Sequence, residues 1–462
     1  MPLKRLDEYF KQASTDKPTK ITIQIPTQQK YKITGFYKET QFQETPIGKI
    51  PKEWSVAKLE YLSSNIYYGV TAKAVEKNTG IRMLRITDIK DYKVNWDSLP
   101  YCEITSEIKD IRKYLLEKGD IVVARAGTVG VSVLVDRDLD DVVFGSYLIK
   151  VRPREELVYP KFLHYYFQSE QYWKHISKAQ GSTLKNINLE ILKSLLVPLP
   201  HLEEQWGIAE VLSSVDQAIE ATERFIEKLE KIKQGLMQEL LTKGIGHKEF
   251  KETEIGKIPK EWDIVLLKEV AEIDSKPEKA KNAKGLVARI PMELIPSRGI
   301  YAKYELVNFD EVKSYTVAKE GDILLAKITP SFENGKQGIV PENLPSGIAF
   351  TTTEVYVITP RQIDKLFLFY LLKWEKVRKL LAHKMTGTTG RRRVPREALE
   401  NLQIPLPSTE EQRKIASILK SIDELIEIES KYKERLERLK RGLMELLLTG
   451  RVRVRVERVS SG

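Results

Sequence analysis

At 462 residues the chain is too long for one hydrophobic core, and its apolar fraction of 41% is ordinary for a globular protein. No apolar run reaches the roughly 18 residues of a membrane span, and the opening MPLKRLDEYF has no signal-peptide core, so a cytoplasmic protein without a membrane partner is expected. The single cysteine, Cys102, excludes an internal disulfide framework and a cysteine-built zinc site, and a formal net charge of +11 favours a polyanionic partner.

The chain is written twice. Behind a basic extension, residues 1–43, the segment ETPIGKIPKEW at Glu44–Trp54 returns as ETEIGKIPKEW at Glu252–Trp262, identical at ten of eleven positions. Val197–Thr242 returns as Ile404–Thr449 with 23 of 46 positions identical, at the same offset of 207 or 208 residues. This ordered duplication predicts a variable domain at 44–196, a helical segment at 197–251, a second variable domain at 252–403, a second helical segment at 404–450 and a basic tail at 451–462. The positive excess lies on the variable domains and both termini and is missing from the helical segments. A repeated frame around two unlike middles points to similar domains of different specificity; neutral drift in loops is the alternative.

In the first variable domain Trp54 reads as a core anchor, and the β-rich runs GDIVVARA and DVVFGSYLIKVRP precede the helical YPKFLHYYFQSEQYWKHI. From Glu203 to Leu241 apolar residues recur at Ile208, Leu212, Val215, Ile219, Ile226, Leu229 and Leu236, the narrow stripe of a coiled-coil helix. The second domain repeats the scheme with Trp262, GDILLAKIT, EVYVITP and IDKLFLFYLLKWEKVRKLL. Its helix carries Ile415, Leu419, Ile422, Ile426, Leu436 and Leu443 on one stripe, with Ser408 or Thr409 as N-cap and Gly244 and Gly450 as stop signals for the two helices. The fold class expected is α+β: two mixed domains, each with a curved sheet, joined by two long antiparallel coiled-coil helices. The tail RVRVRVERV alternates as a strand; it either pairs with the chain near the start of the first variable domain, the favoured reading, or forms a basic arm.

Catalytic constellations are missing. There is no phosphate loop, no dinucleotide fingerprint, no nucleophile elbow, and the five histidines show no metal-ligand spacing. Asp120 and Asp322, in the matched GDI sequences, read as turn acids at strand entrances. A triad assembled only in space hides from such a search, so a self-contained methyltransferase or nuclease and a scaffold that binds no DNA stay open as alternatives.

Base edges are read by Arg, Lys, Asn, Gln, Ser and Thr, and phosphates are gripped by cations, hydroxyls and backbone N–H groups. Three paired loops carry such residues. ARAGTVG offers Arg125 and Thr128, matched by Lys327 with Asn334 and Lys336; GSTLKN offers Ser182, Thr183, Lys185 and Asn186, matched by Thr388, Thr389, Arg391, Arg392 and Arg393. RMLRITDIKD offers Arg82, Arg85, Thr87 and Asp88, matched by the surroundings of Arg289 and Arg298. For any one of these cations a solvated surface position is the competing reading.

The opener ETxIGKIPKEW, the turn PLPxxEEQ before a heptad helix and the closing KQGLMQELLT or KRGLMELLLT resemble the specificity subunits of type I restriction–modification systems, in that family's order, twice, from Glu44 to Arg451. The resemblance implies that the unlike stretches are target-recognition domains related by a pseudo-twofold axis, reading the two halves of an asymmetric double-stranded DNA target. It implies a complex with two adenine-N6 methyltransferase subunits and, when it restricts, motor-nuclease (restriction/translocase) subunits. Catalysis, S-adenosylmethionine, ATP and magnesium would belong to those partners, and none to this chain. Residues 1–43 are not part of that pattern.

Overall fold

The computed structural model describes residues 31–103, 105, 110–180, 186–253, 256–275, 284–388 and 390–459, the side chains of 178–180 excepted. It separates into two compact units, Met1–Glu220 with Arg435–Gly462, and Ala221–Glu434.

Two long helices, Leu202–Lys243 and Thr409–Leu448, run through both units, about 63 and 60 Å long at 1.5 Å per residue. The Ser408 hydroxyl accepts from the Glu411 N–H at 3.3 Å and caps the second, and two glutamates in each first turn face the positive end of the helix dipole. Gly244 and Gly450, at φ +63° and +69°, end them where a side chain would be strained. In the first unit Asp216 meets Lys440 at 2.8 Å. In the second, Glu223 meets Lys433 at 2.8 Å and Asp423 meets Lys233 at 2.6 Å. Numbers rising on one helix meet numbers falling on the other, so the helices are antiparallel.

The apolar stripe has two duties. Ile208, Leu212, Val215, Ile219, Leu229, Leu436 and Leu443 are buried, and Ile226, Leu236, Ile422 and Ile426 are half-buried. Ile415 and Leu419 are fully buried in the core of the second variable domain, among Trp262, Phe367 and Leu371, and Leu236 packs against that core. A stripe read as a helix seam alone therefore also seats a domain at its ends.

Each variable domain contains two four-stranded sheets in place of the single curved sheet expected. In the first unit one sheet runs Ser132–Leu134, Ile121–Ala124, Leu148–Pro153, Ser63–Tyr68, all antiparallel. The other sets Arg82–Leu84 parallel to Val142–Phe144 and adds Tyr101–Cys102 and Ala74–Val75. The second unit repeats the first sheet with Gln337–Ile339, Ile323–Ala326, Val355–Pro360 and Ala271–Ile273. Its other sheet again centres on a parallel pair, Leu286–Ile290 with Ile348–Thr351. The run DVVFGSYLIKVRP thus holds two strands of different sheets. It breaks at Gly145–Tyr147, where the chain crosses itself so closely that a Cβ on Gly69 would lie 2.3 Å from the Phe144 and Gly145 carbonyl oxygens.

The C-terminal tail is a strand: Val452–Arg458 pairs antiparallel with Tyr31–Lys38, just ahead of the first variable domain. Among the described residues no helix is long and apolar enough to cross a membrane.

Candidate nucleic-acid interface

The duplicated residues build the same frame in each unit. The Trp54 indole donates to Glu204 at 3.1 Å and the Trp262 indole to Glu411 at 3.0 Å, both rings buried. The side-chain amides of Gln205 and Gln412 donate to Pro200 and Pro407 carbonyls and accept from the Tyr159 and Asp364 N–H groups. Tyr165 donates to Asp216 and Tyr370 to Asp423, and burial followed by the neighbouring carboxylate raises both phenol pKa values. The motifs PKEW and EEQ are therefore the seats that fix each domain on the helix beginning behind it.

On that frame three loops converge at one end of each domain. The Arg125 N–H donates to the Tyr147 carbonyl at 3.0 Å, and the Arg125 carbonyl accepts from Ile187 N–H at 2.9 Å. Lys327 does the same with Glu354 at 3.0 Å and Val394 at 2.9 Å. Both cations lie over a tyrosine ring, Arg125 over Tyr68 at 4.4 Å and Lys327 over Tyr356 at 5.0 Å, though the rings come from different strands. The Arg125 Nε is buried without a hydrogen-bond partner among the described residues. Thr128, Asn186, Asn334 and Thr388 are exposed around these loops, whereas Ser182, Thr183, Lys185 and Thr389 lie outside the described residues.

Several expected readers are committed to the protein itself. Arg82 forms a two-pronged pair with Asp141 at 2.7 and 2.6 Å and donates to the Trp96 carbonyl, and this hydrogen bonding raises its pKa. Its side chain is half-buried beside that acid. Lys336 donates to the Met292 and Ile295 carbonyls at 2.6 and 3.3 Å, tying its loop to a neighbouring turn. Arg289 pairs with Glu305 and Arg298 with Glu230. Arg85 is held by Asp88 at 3.0 and 2.8 Å, but its turn stays at the loop end: Ile86 lies 3.2 Å from a Cβ built on Gly127.

The triple arginine divides. The described residues on either side of Thr389 are drawn together, with Thr386 bridged to Arg393 and Arg393 bridged to Ile328. Arg393 grips Glu354 at 2.9 and 2.7 Å and its hydrogen bond holds the Glu354 carboxyl below its ordinary pKa. Arg392 reaches Glu333 at 3.5 Å. Among the described residues the Arg391 side chain is exposed and has no partner.

Asp120 and Asp322 hold the tight turn at a strand entrance in each unit, accepting from Glu117 N–H at 2.9 Å and Lys319 N–H at 2.8 Å. Asp120 is paired with Arg152 at 2.7 Å, whereas Asp322 has Thr359 and its pKa is raised by burial. Among the described residues no cluster of His, Cys, Asp and Glu could hold a metal ion.

A sequence model described as the type I restriction modification DNA specificity domain matches residues 51–231 and again 259–438. The chain belongs to the type I restriction–modification specificity-subunit family. This specificity subunit is 34% identical over 432 residues to the putative type I restriction enzyme MjaX specificity subunit of Methanocaldococcus jannaschii, covering 91% of this chain and 98% of that one. It is 31% identical over 434 residues to the MjaVIII specificity subunit of the same organism, covering 92% and 98%. The crystal structure of the type I restriction–modification system S subunit from M. genitalium shares its fold, with a TM-score of 0.52 at 17% identity over 87% of this chain and 98% of that one.

Charge-led reading of the specificity subunit missed Tyr147 and Glu354, which occupy one backbone address in the two domains. The signal lay in the aligned FGSY and TTTE segments, which set an aromatic ring against an acid.

Proposed function

We propose that this chain reads an asymmetric, two-part DNA sequence and directs adenine methylation and restriction by partner subunits. The observation that carries this reading is the contrast between frame and face. Identical Trp–Glu, Gln–Pro and Tyr–Asp seats hold two domains whose converging loops carry different chemistry: Arg125, Thr128 and Tyr147 in one, Lys327, Glu354 and Arg391 in the other. Two unlike faces on one repeated support suit two unlike half-sites. The length of the paired helices would set the unread spacer between the half-sites.

The chain itself performs no chemistry in this reading. Two adenine-N6 methyltransferase subunits supply S-adenosylmethionine chemistry, and restriction/translocase subunits, when present, supply ATP- and magnesium-dependent translocation and cleavage. Mapping methylated adenines in cells with the gene present and deleted tests the proposal. A two-part asymmetric motif that vanishes on deletion is expected. Methyl transfer by the purified chain alone would make it an enzyme instead, and absence of salt-sensitive DNA binding with and without partners would make it a scaffold.

A further inference from the structure

Tyr147 is 65% exposed, and among the described residues its ring meets no other ring and its hydroxyl makes no hydrogen bond. A single exposed tyrosine is ordinary on a protein surface; its address distinguishes this one. The turn beneath it is fixed on three sides: Leu148 N–H donates to Gly145 at 2.9 Å, Gly145 N–H to Leu84 at 3.0 Å, and Arg125 N–H to the Tyr147 carbonyl at 3.0 Å. The ring therefore projects from a rigid base beside Arg125. Among the described residues the other large apolar side chains exposed in this domain, Tyr61 and Leu157, lie beyond the opposite ends of strands Ser63–Tyr68 and Leu148–Pro153. At the same backbone address the second domain has Glu354, which is gripped by Arg393 of the loop cluster.

A phosphate contact calls for a cation, a hydroxyl or an N–H, whereas the apolar feature of a base pair's major-groove edge is the thymine methyl group. We propose that Tyr147 is a specificity-determining residue of the first domain, whose ring packs on a thymine methyl in that domain's half-site. The proposal rests on the DNA-recognition reading above and adds to it the chemical class of one contacted base.

The test uses the full chain with its partner subunits. Methylated adenines are mapped for the unmodified protein, Tyr147→Ala and Tyr147→Phe, and binding is measured to duplexes in which each thymine of the mapped site is replaced singly by deoxyuridine. One replacement should weaken binding of the unmodified protein and of Tyr147→Phe by roughly four-fold, the worth of one buried methyl, and leave Tyr147→Ala nearly unaffected. Tyr147→Ala should relax that same position and leave the other half-site intact. Identical methylation patterns for all three proteins overturn the proposal. So does a loss in Tyr147→Phe equal to that in Tyr147→Ala, which would assign the hydroxyl to a phosphate. The uracil scan on the unmodified protein needs no variant: indifference at every thymine of the first half-site also overturns it. Absence of any chain-dependent methylation or DNA binding would instead sink the DNA-recognition reading itself.

Discussion

Arg391, Arg392 and Arg393 stand side by side in the chain but face different partners. Arg393 is engaged by Glu354 and Arg392 by Glu333, whereas Arg391 is uncommitted among the described residues. A guanidinium free to meet a guanine makes two hydrogen bonds whose loss removes about 1–3 kcal/mol of discrimination. Arg391→Ala should therefore relax one position of one half-site in a methylation map. Arg392→Ala and Arg393→Ala, whose guanidiniums are engaged by Glu333 and Glu354, should change the methylation pattern and the salt slope less than Arg391→Ala does. If all three variants match the unmodified protein in affinity, salt slope and methylation pattern, the cluster is solvated surface. Lys373 offers a second residue-scale test. Burial, then Lys233 and Arg378 nearby, push its ammonium down to about 7, and its amine donates to the Gly335 carbonyl at 3.0 Å. Its folded pKa lies below the unfolded value, so between about pH 7 and 10 the unfolded chain binds more protons and stability rises with pH. The second unit should melt higher at pH 9 than at pH 6.5, and Lys373→Met should flatten that slope; an unchanged slope refutes the assignment.

Among the elements, the long helices show why a repeated stripe outlasts divergence around it. Each unit needs an acid from one helix, a cation from the other and a tyrosine from its own domain: Asp216, Lys440 and Tyr165, or Asp423, Lys233 and Tyr370. A change in one helix thus disturbs a seat as well as a seam. Leu229 and Leu436 are 5% and 2% exposed, so Leu229→Asp with Leu436→Asp would bury unpaired carboxylates in both units. Each should cost on the order of 3 kcal/mol or more, against about 2–5 kcal/mol for truncating a buried leucine to alanine. Thermal melting of the double variant reads this directly, and an unaltered transition with intact partner assembly would contradict the packing described.

At the scale of a whole unit, one buried cation ties the last strand to the chain ahead of the first variable domain. Arg453, 3% exposed, reaches Glu204 at 2.6 Å, Glu39 at 2.6 Å and Glu53 at 3.1 Å, linking the last strand, the chain ahead of the first domain and the start of the first long helix. The second unit fills the corresponding place beside Trp262 with His247, which meets Glu411 at 2.9 Å and Glu261 at 3.1 Å. Arg453→Met should destabilise the first unit by about 3–5 kcal/mol, because it strands buried carboxylates. Each kcal/mol corresponds to roughly 2–4 °C of melting temperature in a unit of this size. A melting curve unchanged by the substitution would show that Val452–Arg458 is held by its pairing with Tyr31–Lys38 alone.

The duplication, the two helices, their termini and the pairing strand at the end were legible in the sequence. Each rests on a pattern in the chain itself: identity at a fixed offset, apolar residues at helical spacing, a serine or threonine ahead of a helix, a glycine behind it, and alternation. Trp54 and Trp262 were readable as anchors, but their carboxylate partners, 150 and 149 residues away, were not. The face of each domain was decided only in three dimensions. Whether an arginine can meet DNA depends on which acid folding brings beside it, so Arg82 and Arg393 look alike in the sequence as candidates, yet one is tied down by Asp141 and the other by Glu354. Tyr147 shows the converse. Nothing in its type marks it, and its significance comes from a chain crossing at Gly69 and a turn tied to Arg125, contacts between segments far apart in the chain.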